Sequence, residues 1–352
     1  MIIELNPLDT LFFRDGKPFT MGEETWADGI FPPPPSVIYG ALRTAWFAEN
    51  GGIEKANTEQ DPTNNLKING IYYKYGDKIC LPLPLDYVKE KDSEDSEVFV
   101  LNPFENPAGS LSNCPTKLLL KSHDNKELEN LANGLIQYDK FIKYLTGELE
   151  SFFADDISED IFAEPKIGIG RDNCTRTSDE SKLYRVGMRR IKNLSFIVDF
   201  DFLTLPGSGL MRLGGEGKAV SYQTINVFLE KPKLQSAKFK LYFSTPVFFQ
   251  NGWLPGWLME NPETKKISGI YEGLELELLA AIIGKPIFIG GFDMKNKTPK
   301  PMRKVVPAGS VYYFELKNGD LNKVVDLFHA KSISEFGTKK EGFGVSFVGV
   351  FK

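Results

Sequence analysis

Residues 194–229 read LSFIVDFDFLTLPGSGLMRLGGEGKAVSYQTINVFL. LSFIVDFDFL and SYQTINVFL are strand candidates, and between them Arg212 and Lys218 flank a turn rich in glycine: Gly214, Gly215 and Gly217. No helix is written between the two strands. Outward in both directions the chain goes on mixing strands and helices, without the regular βα alternation of a doubly wound sheet, so the expected class is α+β. The turn has two readings. Glycines without a Cβ let a backbone approach a ligand and adopt φ > 0, lining amides along a concave edge that suits phosphate. They equally make a tight turn between strands.

The chain has 352 residues, 41% apolar and 25% charged, with 27 Phe and 13 Tyr, which suits a soluble globular protein with a large core. No apolar run is long enough to span a membrane, and MIIELNPLDT lacks the basic start of a secretory signal, so no membrane partner and a cytoplasmic location are expected. Cys80, Cys114 and Cys174 form no CxxC pair, which argues against a zinc ribbon or a disulfide framework. The net charge of −5 disfavours nucleic acid on average, but charge is segregated. Residues 147–164 carry seven acids and no Lys or Arg, whereas 166–192 carry eight cations against three acids. That is either a local anion-binding face or two solvated faces of opposite sign.

Nearer the start, Ser36 is a candidate N-cap for a helix through Ala48, which Gly51-Gly52 would stop. INGIYYKYGDKICLPLP predicts a hairpin turning at Gly76-Asp77. KEKDSEDSE predicts a flexible stretch, and KELENLANGLIQYDKFIKYLTGELESFF one or two helices, so 86–160 is expected as an insertion. LNKVVDLFHA predicts a short helix, and the remainder from Ala237 is mostly strand-like.

Motifs exclude more than they assign. A P-loop would need glycine where Arg212 stands and Ser or Thr where Ala219 stands. GFGVSFVG has Phe347 at the third glycine position of a dinucleotide fingerprint. Only two histidines exist, His123 in a polar loop and His329 on the short helix, and no HExxH, GxSxG or paired acidic metal motif accompanies them. No cofactor, metal or catalytic residue is expected.

Six stretches in order, NPLDTLFFRDGKPF, KIGIGRDNCTRTSDESKLYRVGMRR, RLGGEGKAV, TPVFFQNGWLP, GGFDMKNKTPKPMRKVVPAGSVYYFEL and the glycine-rich tail, resemble the third subunit of the type III-B (Cmr) CRISPR RNA-guided effector. That family lies in the Cas-five-like branch of the RAMP superfamily. The resemblance implies two ferredoxin-like, RRM-related domains with glycine-rich loops and insertions, expected at 1–235 and 236–352. It implies a non-catalytic subunit that holds the 5′ tag of the CRISPR RNA, beside the large cyclase-like subunit and the backbone subunits. RNA presents phosphates, 2′-hydroxyls and splayed bases, so the expected site is Arg14, Lys17, Arg171, Arg176, Arg212, Gly214, Gly215, Gly217 and Lys218. EGFGVSFVGVF departs from the RNP1 pattern by having Glu341 in place of its cation, so loops rather than the sheet face are expected to hold RNA. The competing expectation is a metal-independent RAMP endoribonuclease using a histidine acid or base.

Overall fold

The computed structural model describes residues 1–14, 26–27, 29–105, 116–121, 126–171, 174–175, 177–227, 233–293 and 298–351. The chain divides into two compact units that interleave along the sequence: 1–68, 158–226 and 288–304 form one, and 69–157, 227–287 and 305–352 the other.

In the first unit, strand Ile2–Pro7 pairs antiparallel on one side with Leu194–Asp201 and on the other with Ala219–Thr224, which in turn pairs with Ser208–Arg212. Ile3, Leu5, Phe196, Val198, Val220 and Tyr222 are buried, as the period of two demands. Helix Pro35–Glu49 buries Ile38, Tyr39, Leu42 and Ala45 and lies against Ser208–Arg212. Its N-cap is Pro34 with no side-chain bond, so Ser36 is not the cap: Pro35 occupies the first turn, where its fixed φ is already helical. The helix stops as expected, with Gly51 and Gly52 at φ 88° and 97° and the Gly52 amide on the Phe47 carbonyl.

The basic segment forms a long antiparallel hairpin, Ile161–Arg171 with Ser178–Ile191, and Trp26–Ala27 pairs parallel to its second strand. One face of this hairpin, with Tyr184, Val186 and Met188, packs on Phe12. The other leaves Ile167, Ile169 and Leu183 exposed. A separate two-stranded hairpin joins Ile287–Asp293 to Thr298–Val305.

In the second unit, seven strands run in the order Leu258–Glu260, Ile267–Tyr271, Leu274–Ile282, Val311–Asn318, Lys238–Phe243, Val345–Val350, Lys331–Ser332. One face packs Phe239, Leu241, Leu278, Tyr312 and Phe314 against helix Leu321–Phe328 and against Trp253 and Trp257. Asp320 caps that helix by accepting from the Asn322 amide. The two tryptophans therefore sit over a local core.

The opposite face carries Tyr242 and Phe347, which meet Phe141 of helix Tyr138–Thr146 at ring distances of 5.1 and 5.3 Å. Asp86 lies buried there. Its Oδ2 accepts from Tyr144 (2.8 Å) and Tyr313 (2.7 Å), and the Lys240 ammonium stands 3.9 Å away over the Tyr144 ring. Asp86 Oδ1 has no hydrogen-bond partner among the described residues. Burial lowers the Lys240 ammonium to about 8 against the pull of Asp86.

The hairpin turning at Gly76-Asp77 is present, with Tyr75 opposite Lys78. The region read as helical from 126 to 153 is mostly not: Leu128–Glu129, Gly134–Gln137 and Ser151–Phe153 are strands, and only Tyr138–Thr146 is helix. Pairing of Gly134–Gln137 with Lys78–Pro82 overrides the local helical pattern. KEKDSEDSE likewise lies in a hairpin, running from the end of strand Tyr87–Glu90 through the turn to the start of Glu97–Val100. Among the described residues no helix is long and apolar enough to cross a membrane.

Candidate nucleic-acid interface at the glycine turn

Arg212 and Ala219 are opposite each other at the ends of two antiparallel strands, and residues 213–218 connect them. The Leu213 amide donates to the Lys218 carbonyl (2.9 Å) and the Lys218 amide, more weakly, to Gly215 (3.4 Å). Gly214, Glu216 and Gly217 have φ of 81°, 57° and 65°. The expected turn between strands is therefore real, and the backbone of Phe12 dictates much of its chemistry. A Cβ on Gly214 would stand 2.3 Å from the Phe12 carbonyl oxygen. The Gly215 amide donates to that oxygen at 2.8 Å, and Gly215 lacks the positive φ of its neighbours. Gly217 has open space where a Cβ would be. Among the described residues, the amides of Gly214, Glu216 and Gly217 have no hydrogen-bond acceptor. Three donors thus remain in a half-exposed turn, the number and kind a phosphate oxygen seeks.

The charges around the turn form a chain of ion pairs. Lys218 Nζ reaches Asp9 Oδ2 at 2.5 Å, and Arg190 Nη2 reaches Asp9 Oδ1 at 3.2 Å. Arg190 also grips Glu164 with two bonds of 2.7 and 2.8 Å, a bidentate fork. Lys166 on the long hairpin bonds Glu216 inside the turn at 2.9 Å. The Lys218 bond, then the Thr10 amide, hold the Asp9 carboxyl down to about 2. Arg190 lowers Glu164 in the same way, and Glu216 raises Lys166. Arg212 is exposed and has no ion-pair partner among the described residues.

One hairpin brings together Arg212, Gly214, Gly215, Gly217 and Lys218. Arg14 is exposed in the same unit, its backbone bridged to Gly29. Arg171 closes its strand opposite Ser178. Lys17 and Arg176 lie outside the described residues, as does His123. The acids Asp9, Glu164 and Glu216 and the carbonyl of Phe12 escaped sequence reading. Glu216 was visible inside the quoted turn; Asp9 and Phe12 are some two hundred residues away, in the stretch NPLDTLFFRDGKPF, and nothing beside the glycines points to them.

The RNP1-like tail does not form a stacking platform. Strand Val345–Val350 buries Ser346, Phe347 and Val348, and Phe347 is packed among Tyr72, Phe141 and Tyr242. His329 is buried, its Nδ1 accepting the Val348 amide at 3.3 Å and its ring set edge-on to Phe347. Among the described residues no group of three or more His, Cys, Asp or Glu stands together as a metal site.

The family model described as CRISPR-associated protein (Cas_Cmr3) matches residues 3–351. No curated protein matches the sequence. Two solved chains share the fold at 18% identity, each with a TM-score of 0.52 over 89% of this chain and 86% of the other. They come from cryo-EM structures of the Type III-B Cmr-beta complex bound to cognate target RNA, one also with AMPPnP.

Proposed function

We propose, from the premise that this chain belongs to the Cas_Cmr3 family of CRISPR-associated proteins, that it is a non-catalytic RNA-holding subunit of a type III-B effector. The glycine turn grips a phosphate of the guide's 5′ tag. Amides of Gly214, Glu216 and Gly217 supply backbone donors, and Arg212 and Lys218 supply charge. Arg14, Lys17, Arg171 and Arg176 extend the contact along the strand. The observation that carries this reading is three amides and an arginine that have no partner among the described residues, in a turn with open space at Gly217. Arginine's planar fork suits phosphate and base edge alike.

The subunit bridges the large cyclase-like subunit to the backbone subunits. Support for the ferredoxin-like reading of its C-terminal part comes from strand order. Val311–Asn318 stands between Leu274–Ile282 and Lys238–Phe243, with Val345–Val350 beyond, as in a βαββαβ sheet whose first helix is replaced by the tryptophan turns. The endoribonuclease alternative gains nothing from His329, whose imidazole is committed inside the core.

The test is binding of a fluorescein-labelled RNA carrying the guide's 5′ segment across a salt series. Arg212→Ala and Lys218→Ala are each expected to weaken binding by about 1 kcal/mol and to flatten its salt dependence. Wild-type binding by both at every salt concentration, with melting temperatures unchanged, would reduce the turn to a structural connection.

A further inference from the structure

We propose that the Asp9 carboxylate occupies the ligand-phosphate position at the glycine turn and so sets how selectively RNA is held there. The proposal rests on the reading of this turn as a phosphate site. It arises from how the cations are engaged. Two of them meet one carboxylate through different oxygens, Lys218 on Oδ2 and Arg190 on Oδ1, as they would meet two non-bridging oxygens of a phosphate.

The two cations depend on Asp9 unequally. Arg190 is already fixed by its two hydrogen bonds to Glu164. The Lys218 ammonium has no acceptor other than Asp9 among the described residues. The side chain of Asp9 is 52% exposed, so the pair is replaceable: exposed ion pairs contribute little and exchange partners readily.

While Asp9 is in place, Lys166, Arg190 and Lys218 are matched by Asp9, Glu164 and Glu216, and the ion-paired cluster carries no net charge. A passing polyanion gains little from it. A phosphate that also reaches the amides of Gly214, Glu216 and Gly217 has donors that Asp9 does not use, and can displace it. Asp9 therefore discriminates by geometry, penalising charge that arrives without the correct backbone path.

The full-length chain is titrated with two fluorescein-labelled probes, the guide 5′-segment RNA and a uridine homopolymer of equal length. Asp9→Asn is expected to bind the homopolymer about two- to fivefold tighter at low salt, with a log–log salt slope steeper by about 0.7. The gain for the guide segment is expected to be smaller. The homopolymer gain should shrink in Asp9→Asn/Lys218→Ala. A purely structural brace predicts the opposite sign, so weaker or unchanged homopolymer binding by Asp9→Asn overturns the proposal, as does a gain that survives undiminished without Lys218. Should Asp9→Asn fail to fold, Asp9→Ser carries the same expectation. If Arg212→Ala and Lys218→Ala bind normally, the site itself is lost. If those two weaken binding while Asp9→Asn fails to tighten it, only the role of Asp9 is lost.

Discussion

At the glycine turn, Lys218 and Arg190 share an exposed carboxylate; on the second unit's sheet, Lys240 and two tyrosine hydroxyls share a buried one. The chemical groups are nearly the same. The surroundings are not. Water screens the Asp9 cluster and offers every member an alternative partner, so its pairs can open for a ligand. Asp86 and Lys240 have no such alternative, and Asp86 Oδ1 lacks even one hydrogen bond among the described residues. Charge that binds a ligand must be cheap to rearrange, whereas buried charge fixes the packing of the elements around it.

The largest effect that would break this contrast is on Asp86. Asp86→Ala strands the Lys240 ammonium and two tyrosine hydroxyls, and is expected to destabilise the protein by about 3 kcal/mol or more in urea titration. Asp9→Asn measured alongside should shift stability far less, because exposed ion pairs contribute little. Equal effects at the two sites would erase the distinction.

Next comes pH. The folded Lys240 ammonium titrates at about 8, below its unfolded value of roughly 10.4. Between those values the unfolded chain holds the proton that the folded chain has lost, so this group's contribution to stability rises with pH. From pH 8 to 10 the gain is expected to be about 2 kcal/mol, and it should vanish in Lys240→Met. The buried hydroxyls of Tyr144 and Tyr313, raised by burial and by Asp86, act in the other direction above pH 10. A stability difference between wild type and Lys240→Met that is flat from pH 8 to 10 would place the ammonium in solvent.

A smaller effect separates fold from site within the turn itself. Gly214→Ala forces a Cβ onto the Phe12 carbonyl at positive φ, while Gly217→Ala meets only the φ penalty. The first is expected to cost roughly 1.5 kcal/mol of stability, and the second about 1 or less, in thermal melts. Gly217→Ala should instead show in RNA binding, since its side chain enters the space left open for ligand.

Legibility in the sequence follows the same division. Gly76-Asp77 and Gly51-Gly52 announced their turns because the information is local to a few residues. The helix Pro35–Glu49 was legible from its spacing, though proline, not Ser36, starts it. Around Gly134–Gln137 the apolar spacing fits a helix, and only a partner strand fifty residues upstream makes it a strand. The site divides likewise. Glycines and cations stand together at 212–218 and could be read; the carbonyl that requires Gly214 and the carboxylate that occupies Lys218 come from the chain just after the first strand, and nothing in the sequence ties that stretch to the turn.

The interleaving of the two units has a consequence for synthesis. Unit one lacks its segment 288–304 until most of the chain has been translated, and strand Lys238–Phe243 lacks one neighbour until residues 311–318 exist and the other until 345–350 do. Until then the nascent polypeptide carries an open, aromatic-rich β edge, the kind of surface on which chains aggregate. The sheet around Lys238–Phe243 can therefore close only once the last strand has been made, and a chain halted between residues 243 and 345 leaves that edge uncovered.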